Sequence, residues 1–178
     1  HPDSPEARLE LAALSAPSHE QPLSLLADLG DPAQPLALKA ARIRCGLGYQ
    51  DYLQRKSYLH ESGGRELLSA VQSAMQSFSG TPDADFHLWA GQLQYDLGAY
   101  AGAATNFHTA AKLLFPQPAR NADLIISGVL LCESLLADNR PQDAAGAFDA
   151  VLKNYEDDIR VLLLKARIQA ALEQIQKS

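Results

Sequence analysis

The chain has 178 residues, 47% of them hydrophobic and 20% charged, and a formal charge of −6 from 15 basic and 21 acidic side chains. That is the balance of one globular domain or a short repeat array with a core of useful size. No lysine or arginine run forms a phosphate-binding stripe and no apolar run approaches the roughly 20 residues that cross a bilayer, so neither nucleic-acid binding nor direct membrane insertion is expected.

Alanine and leucine dominate while valine, isoleucine and aromatics are sparse, which favours helix over sheet. No stretch alternates with period two for long. In chain order, 3.6-residue periodicity predicts helices over about 5–14, 20–29, 36–59, 65–79, 84–98, 100–115, 120–138, 141–154 and 158–176. The breaks fall at Pro17, Asp31-Pro32, Ser62-Gly63-Gly64, Gly80 to Asp83, Pro116 to Pro118, Asn139 to Pro141 and Asp157-Asp158. Thr81 is expected to cap the helix that follows, with Pro82 in its first position and Asp83 and Asp85 adding negative charge to its N-terminus. The opening "HPDSPEARLELAAL" reads as the close of one helical unit and the first helix of the next, so the chain is expected to be a segment of a longer protein. No leader-like apolar region opens it, which leaves bacterial periplasm and cytoplasm both open. Cys45 and Cys132 lack C-x-x-C or disulfide-dense spacing and are expected as buried thiols, although a bridge between them is not decided by spacing.

The helices come in pairs that resemble one another. Gly91, Gly98, Tyr100, Ala103, Phe107 and Ala110 recur 41 residues later as Cys132, Asn139, Pro141, Ala144, Phe148 and Val151. Two antiparallel helices joined by a short turn need a small residue where they cross, a position tolerant of positive φ at the turn, and an aromatic to fill the space between layers. Gly91 and Cys132 serve the first need, Gly98 and Asn139 the second, Phe107 and Phe148 the third. The G-x-x-x-G spacing of Gly98 and Gly102 is expected to be a coincidence of the turn.

On these residues the chain resembles the tetratricopeptide-repeat family. Segment 84–116 matches that pattern with Gly91, Gly98, Tyr100, Ala103, Phe107, Ala110 and Pro116, and 125–157 matches it more weakly. The step of 41 exceeds the family's usual one of about 34, and the added residues are expected in a hinge around Pro116 to Asp123 or in a longer second helix. Upstream, "LALKAARIRCGLG" starts a degenerate unit, with Ala70, Ala74 and Pro82 recovering the pattern. The resemblance implies an all-α, right-handed superhelical stack of antiparallel pairs with about nine helices. It divides into an irregular pair over 1–33, a degenerate unit over 34–83, units over 84–118 and 119–157, and a capping helix over 158–178.

Catalytic constellations are not found. "CGLGYQ" begins like a dinucleotide loop, but Asp51 stands where a third glycine belongs and helices surround it. Neither G-x-x-x-x-G-K nor G-x-S-x-G occurs. His1, His19, His60, His87 and His108 lie on separate elements, and "HEQPL" and "HESGG" lack the second histidine of a zinc helix. Glu10, Glu20, Glu61, Glu66 and Glu133 are accounted for as solvated helix faces rather than acid–base pairs. The chain is therefore expected to be no enzyme and to hold no cofactor or metal.

What the resemblance implies is a concave groove lined by the first helix of each pair, holding a partner's peptide or helix. Carried over by position, the lining is Leu38, Arg42 and Cys45; Asp85, Leu88, Gln92, Tyr95 and Asp96; Val129, Glu133 and Leu136; and Arg160, Leu163 and Arg167. Arg42, Gln92, Glu133 and Arg167 hold equivalent places, although Arg160 and Arg167 read equally well as solvent charges on a cap. With Gln92 and Asp96 in place, the family's carboxylate clamp for chaperone C-termini looks absent. The expected function is a non-catalytic scaffold for protein–protein interaction, associated by its alanine- and glutamine-rich style with assembly of bacterial envelope or secretion complexes. A secretion chaperone for a disordered client is the alternative, followed by a helical enzyme or ligand sensor with a site in 36–64.

Overall fold

The computed structural model describes residues 37–55, 61–80 and 83–177. Of these residues 87% are helical and none is in a strand. Seven α-helices follow one another: α1 (Ala37–Arg55), α2 (Glu61–Ser77), α3 (Ala84–Asp96), α4 (Tyr100–Leu114), α5 (Asn121–Ala137), α6 (Pro141–Val151) and α7 (Ile159–Lys177). The helices expected over 5–14 and 20–29, and the end of the one expected over 36–59, lie outside the described residues. Two compact units divide the chain, residues 1–82 and 83–178.

In the first unit α1 packs against α2, and a Cβ on Gly48 would stand 2.9 Å from Leu67 Cδ1. Here the sequence reading needs correction. Ser62-Gly63-Gly64 is no break, because α2 starts at Glu61 and runs through both glycines. Glu61 places a carboxylate at the helix N-terminus and reaches Arg65 one turn on at 2.9 Å, and Gly64 is buried, so local pairing and packing outweigh the poor helix propensity of glycine. Ala70, expected to recover the repeat pattern, is exposed; the apolar side chain that α2 buries fully is Val71.

The second unit holds two helix pairs with one plan. His87 faces Asn106, Gly91 faces Phe107 and Gln94 faces Gly102, so α3 and α4 run antiparallel. Gly128 facing Val151 and Leu152, and Cys132 facing Ala144, give α5 and α6 the same relation. The two tight turns match bond for bond. After α3, the N–H groups of Gly98 and Ala99 donate to the carbonyls of Tyr95 and Gln94; after α5, those of Asn139 and Arg140 donate to Leu136 and Leu135. This is a Schellman end, and Gly98 at φ 76° and Asn139 at φ 57° occupy its left-handed position. Tyr95 and Tyr100 meet edge to face across the first turn, 5.4 Å between ring centroids.

Between the two pairs the chain leaves α4, makes one 3-10 turn at Pro118–Arg120 and enters α5, forming a short hinge. Arg120 fastens that hinge. Its Nη2 donates to Asp85 Oδ1 at 2.5 Å and its Nε to Asp123 Oδ2 at 2.7 Å, tying the start of α5 to the start of α3. Thr81 and Pro82 fall outside the described residues, and the cap of α3 is Asp83, whose Oδ1 accepts from the Asp85 N–H at 2.8 Å. A second 3-10 turn, Lys153–Tyr155, leads into α7.

One cluster runs through α4, α5, α6 and α7: Phe107, Leu131, Cys132, Phe148, Leu152, Val161, Leu164 and Ile168 with Ala103 and Ala144. Phe107 is fully buried, and its ring lies against Gly91 of its own pair, where a Cβ would meet it at 2.8–3.0 Å. The aromatic thus fills the crossing of its own pair as well as the cluster beyond. Gly102 also has a packing reason of its own, since a Cβ there would come within 2.8 Å of the Gln94 amide.

Candidate functional site

α5 packs between α3 and α7. Asp85 near the start of α3 reaches Arg120 just ahead of α5, Tyr95 near the end of α3 feels the charge of Glu133, and Glu133 pairs with Arg167 of α7. The two α3–α5 contacts advance together and make those helices parallel, and Leu136, which shares a surface cleft with Ala171 and Ile175 beyond the Glu133–Arg167 pair, gives α5 and α7 the same direction. The residues on their shared face are therefore brought together by the fold, although 41 and 34 residues separate Gln92, Glu133 and Arg167 in sequence.

Tyr95 sits at the centre of this face. It is half-buried, and Glu133, Arg167 and Asp96 all act on its phenol. Its pKa is raised first by partial burial and then by the Glu133 carboxylate, so the hydroxyl stays protonated and available as a donor. Gln92 Nε2 donates to Asp96 Oδ1 at 3.1 Å. Leu88, Val129 and Leu136 are half-buried and pack on the core from this side. The face so assembled is an aromatic anchor in an apolar strip, with charges that answer one another.

The other expected lining residues lie as follows. Asp85 is mostly buried and held by Arg120, which makes it part of the hinge clamp. Arg160 turns back on Asp158, with Nε to Oδ1 at 3.0 Å and Nη2 to Oδ2 at 2.6 Å, and Leu163 is 60% exposed. Leu38 and Arg42 belong to the first unit, half-buried and exposed respectively. Cys45 is a correction: it is buried, so it cannot line a groove, and desolvation pushes its thiol up to about 11. Cys132, buried against Ala144 O at 3.5 Å, is pushed up to about 12 for the same reason; both cysteines are free thiols.

Sequence reasoning missed a polar ladder inside the first pair. His87 Nδ1 donates to Asn106 Oδ1 at 2.8 Å, and Asn106 Nδ2 donates to Gln94 Oε1 at 2.8 Å. The signal available was a histidine, a glutamine and an asparagine on facing helices at complementary positions. It also missed Gly128, whose absent side chain admits Leu152 at 2.7 Å from the Cβ position, four residues ahead of the small position it did identify. A cleft of about 460 Å³ lies on the side of the second helices, floored by Leu131 and Leu135 and walled by Ala104 and Ala147. Among the described residues no three histidine, cysteine or carboxylate side chains come together as metal ligands, and no helix is long and apolar enough to cross a membrane.

No protein-family model, curated protein or solved structure matches the chain.

Proposed function

We propose that this chain is a non-catalytic protein-interaction module of the tetratricopeptide-repeat type, a right-handed stack of antiparallel helix pairs that holds a peptide or helix of a partner along α3, α5 and α7. The observation that carries the reading is the convergence of Tyr95, Glu133 and Arg167 from three parallel helices onto one half-buried face. A tyrosine presents a large, rigid contact surface and a donor at small entropic cost, which is why it serves as an anchor at interfaces. Leu88, Val129 and Leu136 supply apolar area beside it. The matching turn chemistry and crossing positions of the two pairs support the repeat-type reading. Assembly of a bacterial envelope or secretion complex is the setting we associate with such a module.

The test is affinity capture from source-cell extract with wild type and with a Tyr95→Ala, Gln92→Ala, Glu133→Ala triple variant. Wild type is expected to recover a defined partner and the variant to lose it. Equal recovery by both would sink the groove reading.

A further inference from the structure

Tyr95 stands among charges of unlike exposure. Its ring meets that of Tyr100 edge to face, with 5.4 Å between centroids and 66° between planes, so its position is fixed before any partner arrives. Of the charged groups that act on its phenol, two are carboxylates, Glu133 and Asp96, and one is a guanidinium, Arg167. A tyrosine face beside carboxylates attracts cations, because the negative face of the ring and the carboxylate charges act in the same sense.

The pair that Glu133 and Arg167 form across α5 and α7 is unequal. The Glu133 side chain is 18% exposed and that of Arg167 60%. A shielded carboxylate needs a cation beside it, since an uncompensated charge out of water is costly. An exposed arginine holds its place weakly, because water competes for its charge and a long side chain loses rotamer freedom in one geometry. Glu133 is therefore a fixed acceptor and Arg167 a replaceable donor. The chain's own guanidinium shows which chemistry the position accepts.

We infer that the partner held along α3, α5 and α7 presents an arginine to Tyr95 and Glu133, and that this arginine takes the place of Arg167. The inference rests on the groove reading above and names the chemistry that its centre selects. A guanidinium donates in a planar fork to a carboxylate and also lies flat on an aromatic ring, a combination that the point charge of lysine does not offer. Arg167, once released, enters solvent on its exposed stem. Glu133 keeps a cation throughout the exchange, so the gain is the contact with Tyr95 and the area that the partner covers. The formal charge of −6 favours the approach of a basic segment.

The probe is Nα-acetyl-arginine methylamide, titrated into the 178-residue protein carrying isotope-labelled tyrosine, with the ring signals of Tyr95 followed by NMR. Saturable shifts with a Kd of roughly millimolar order are expected of a single side chain. The citrulline analogue, which keeps the shape and lacks the charge, binds at least about tenfold more weakly, and the lysine analogue at least about threefold. Glu133→Gln weakens the arginine probe by about tenfold or more. Arg167→Gln strengthens it by about threefold or more, because the competitor is gone. Lys177→Gln, which removes a positive charge from the exposed end of the same helix, changes it less than about 1.5-fold. Unchanged far-ultraviolet circular dichroism checks the folding of each variant. Absence of a saturable shift at Tyr95 overturns the inference, as does equal binding of the citrulline or lysine analogue. Weaker binding by Arg167→Gln also overturns it, because Arg167 would then be part of the binding surface. Each of these results leaves the groove standing so long as the Tyr95 triple variant loses the captured partner, whereas equal capture sinks the groove reading itself.

Discussion

Gly98 and Asn139 close two helices with the same backbone and different chemistry. Glycine adopts φ 76° without penalty, and asparagine is one of the few side chains that visit φ 57° routinely. Around Gly98 a Cβ would meet nothing within 4 Å, so Gly98→Ala tests the backbone term alone. It is expected to cost about 1–2 kcal/mol in urea unfolding, the usual cost of a left-handed alanine. Asp158 is the other residue whose work is local. The Arg160 side chain, and then the Arg160 N–H, hold its carboxyl down to about 2 from an ordinary 3.8. A depressed carboxylate contributes stability above its unfolded value, and that contribution fades as pH falls from about 4 to about 2. An NMR titration should find the Asp158 midpoint near the lower limit, and Arg160→Ala should move it up toward the ordinary value. The turn roles of Gly98 and Asn139 were legible in sequence, because a turn is chemistry between residues at most five apart; the Asp158–Arg160 pair was not, since position in the repeat puts Arg160 on the groove or leaves it as a solvent charge.

At the scale of elements, the crossings of helix pairs are set by what is absent. Gly91 lets Phe107 lie against the α3 backbone, and a Cβ would already stand 2.8 Å from the ring. Gly91→Leu is therefore expected to destabilise by about 1–3 kcal/mol through overpacking, and Phe107→Ala by about 3–5 kcal/mol through the cavity it leaves. If denaturant midpoints for the double variant show the two costs simply adding, the ring does not pack on that glycine. The hinge between the pairs depends on Arg120. Its bond to Asp85 joins two groups largely shielded from water, while Asp123 is 39% exposed, and Arg120→Ala is expected to cost about 1.5–3 kcal/mol, mainly through Asp85. Amide exchange at the start of α5 should rise with it. The periodic positions Gly91, Phe107, Ala103 and their counterparts 41 residues on were readable from spacing. The α2 boundary was not, because Gly63 and Gly64 look like punctuation until the Glu61–Arg65 pair and the burial of Gly64 are seen.

At the scale of the whole molecule, residues 83–178 contain their own core, from Phe86 near one end to Ile168 near the other. Expressed alone, this segment is expected to unfold cooperatively on heating and to keep the amide spectrum that its buried residues have in the full chain. Non-cooperative melting would show that its core needs residues from the first unit. What the sequence by itself determined was the helical character, the turns at Gly98 and Asn139, the small residues at Gly91 and Cys132 and the equal spacing of Gln92, Glu133 and Arg167. All of these follow from propensity, capping and period, which act within a few residues or repeat by count. Tertiary structure alone decided which equivalent positions are covered. Gly91 and Ala166 occupy the same place in their helices, yet one lies under Phe107 and the other faces solvent, because burial depends on which element lies alongside and no count along the chain contains that.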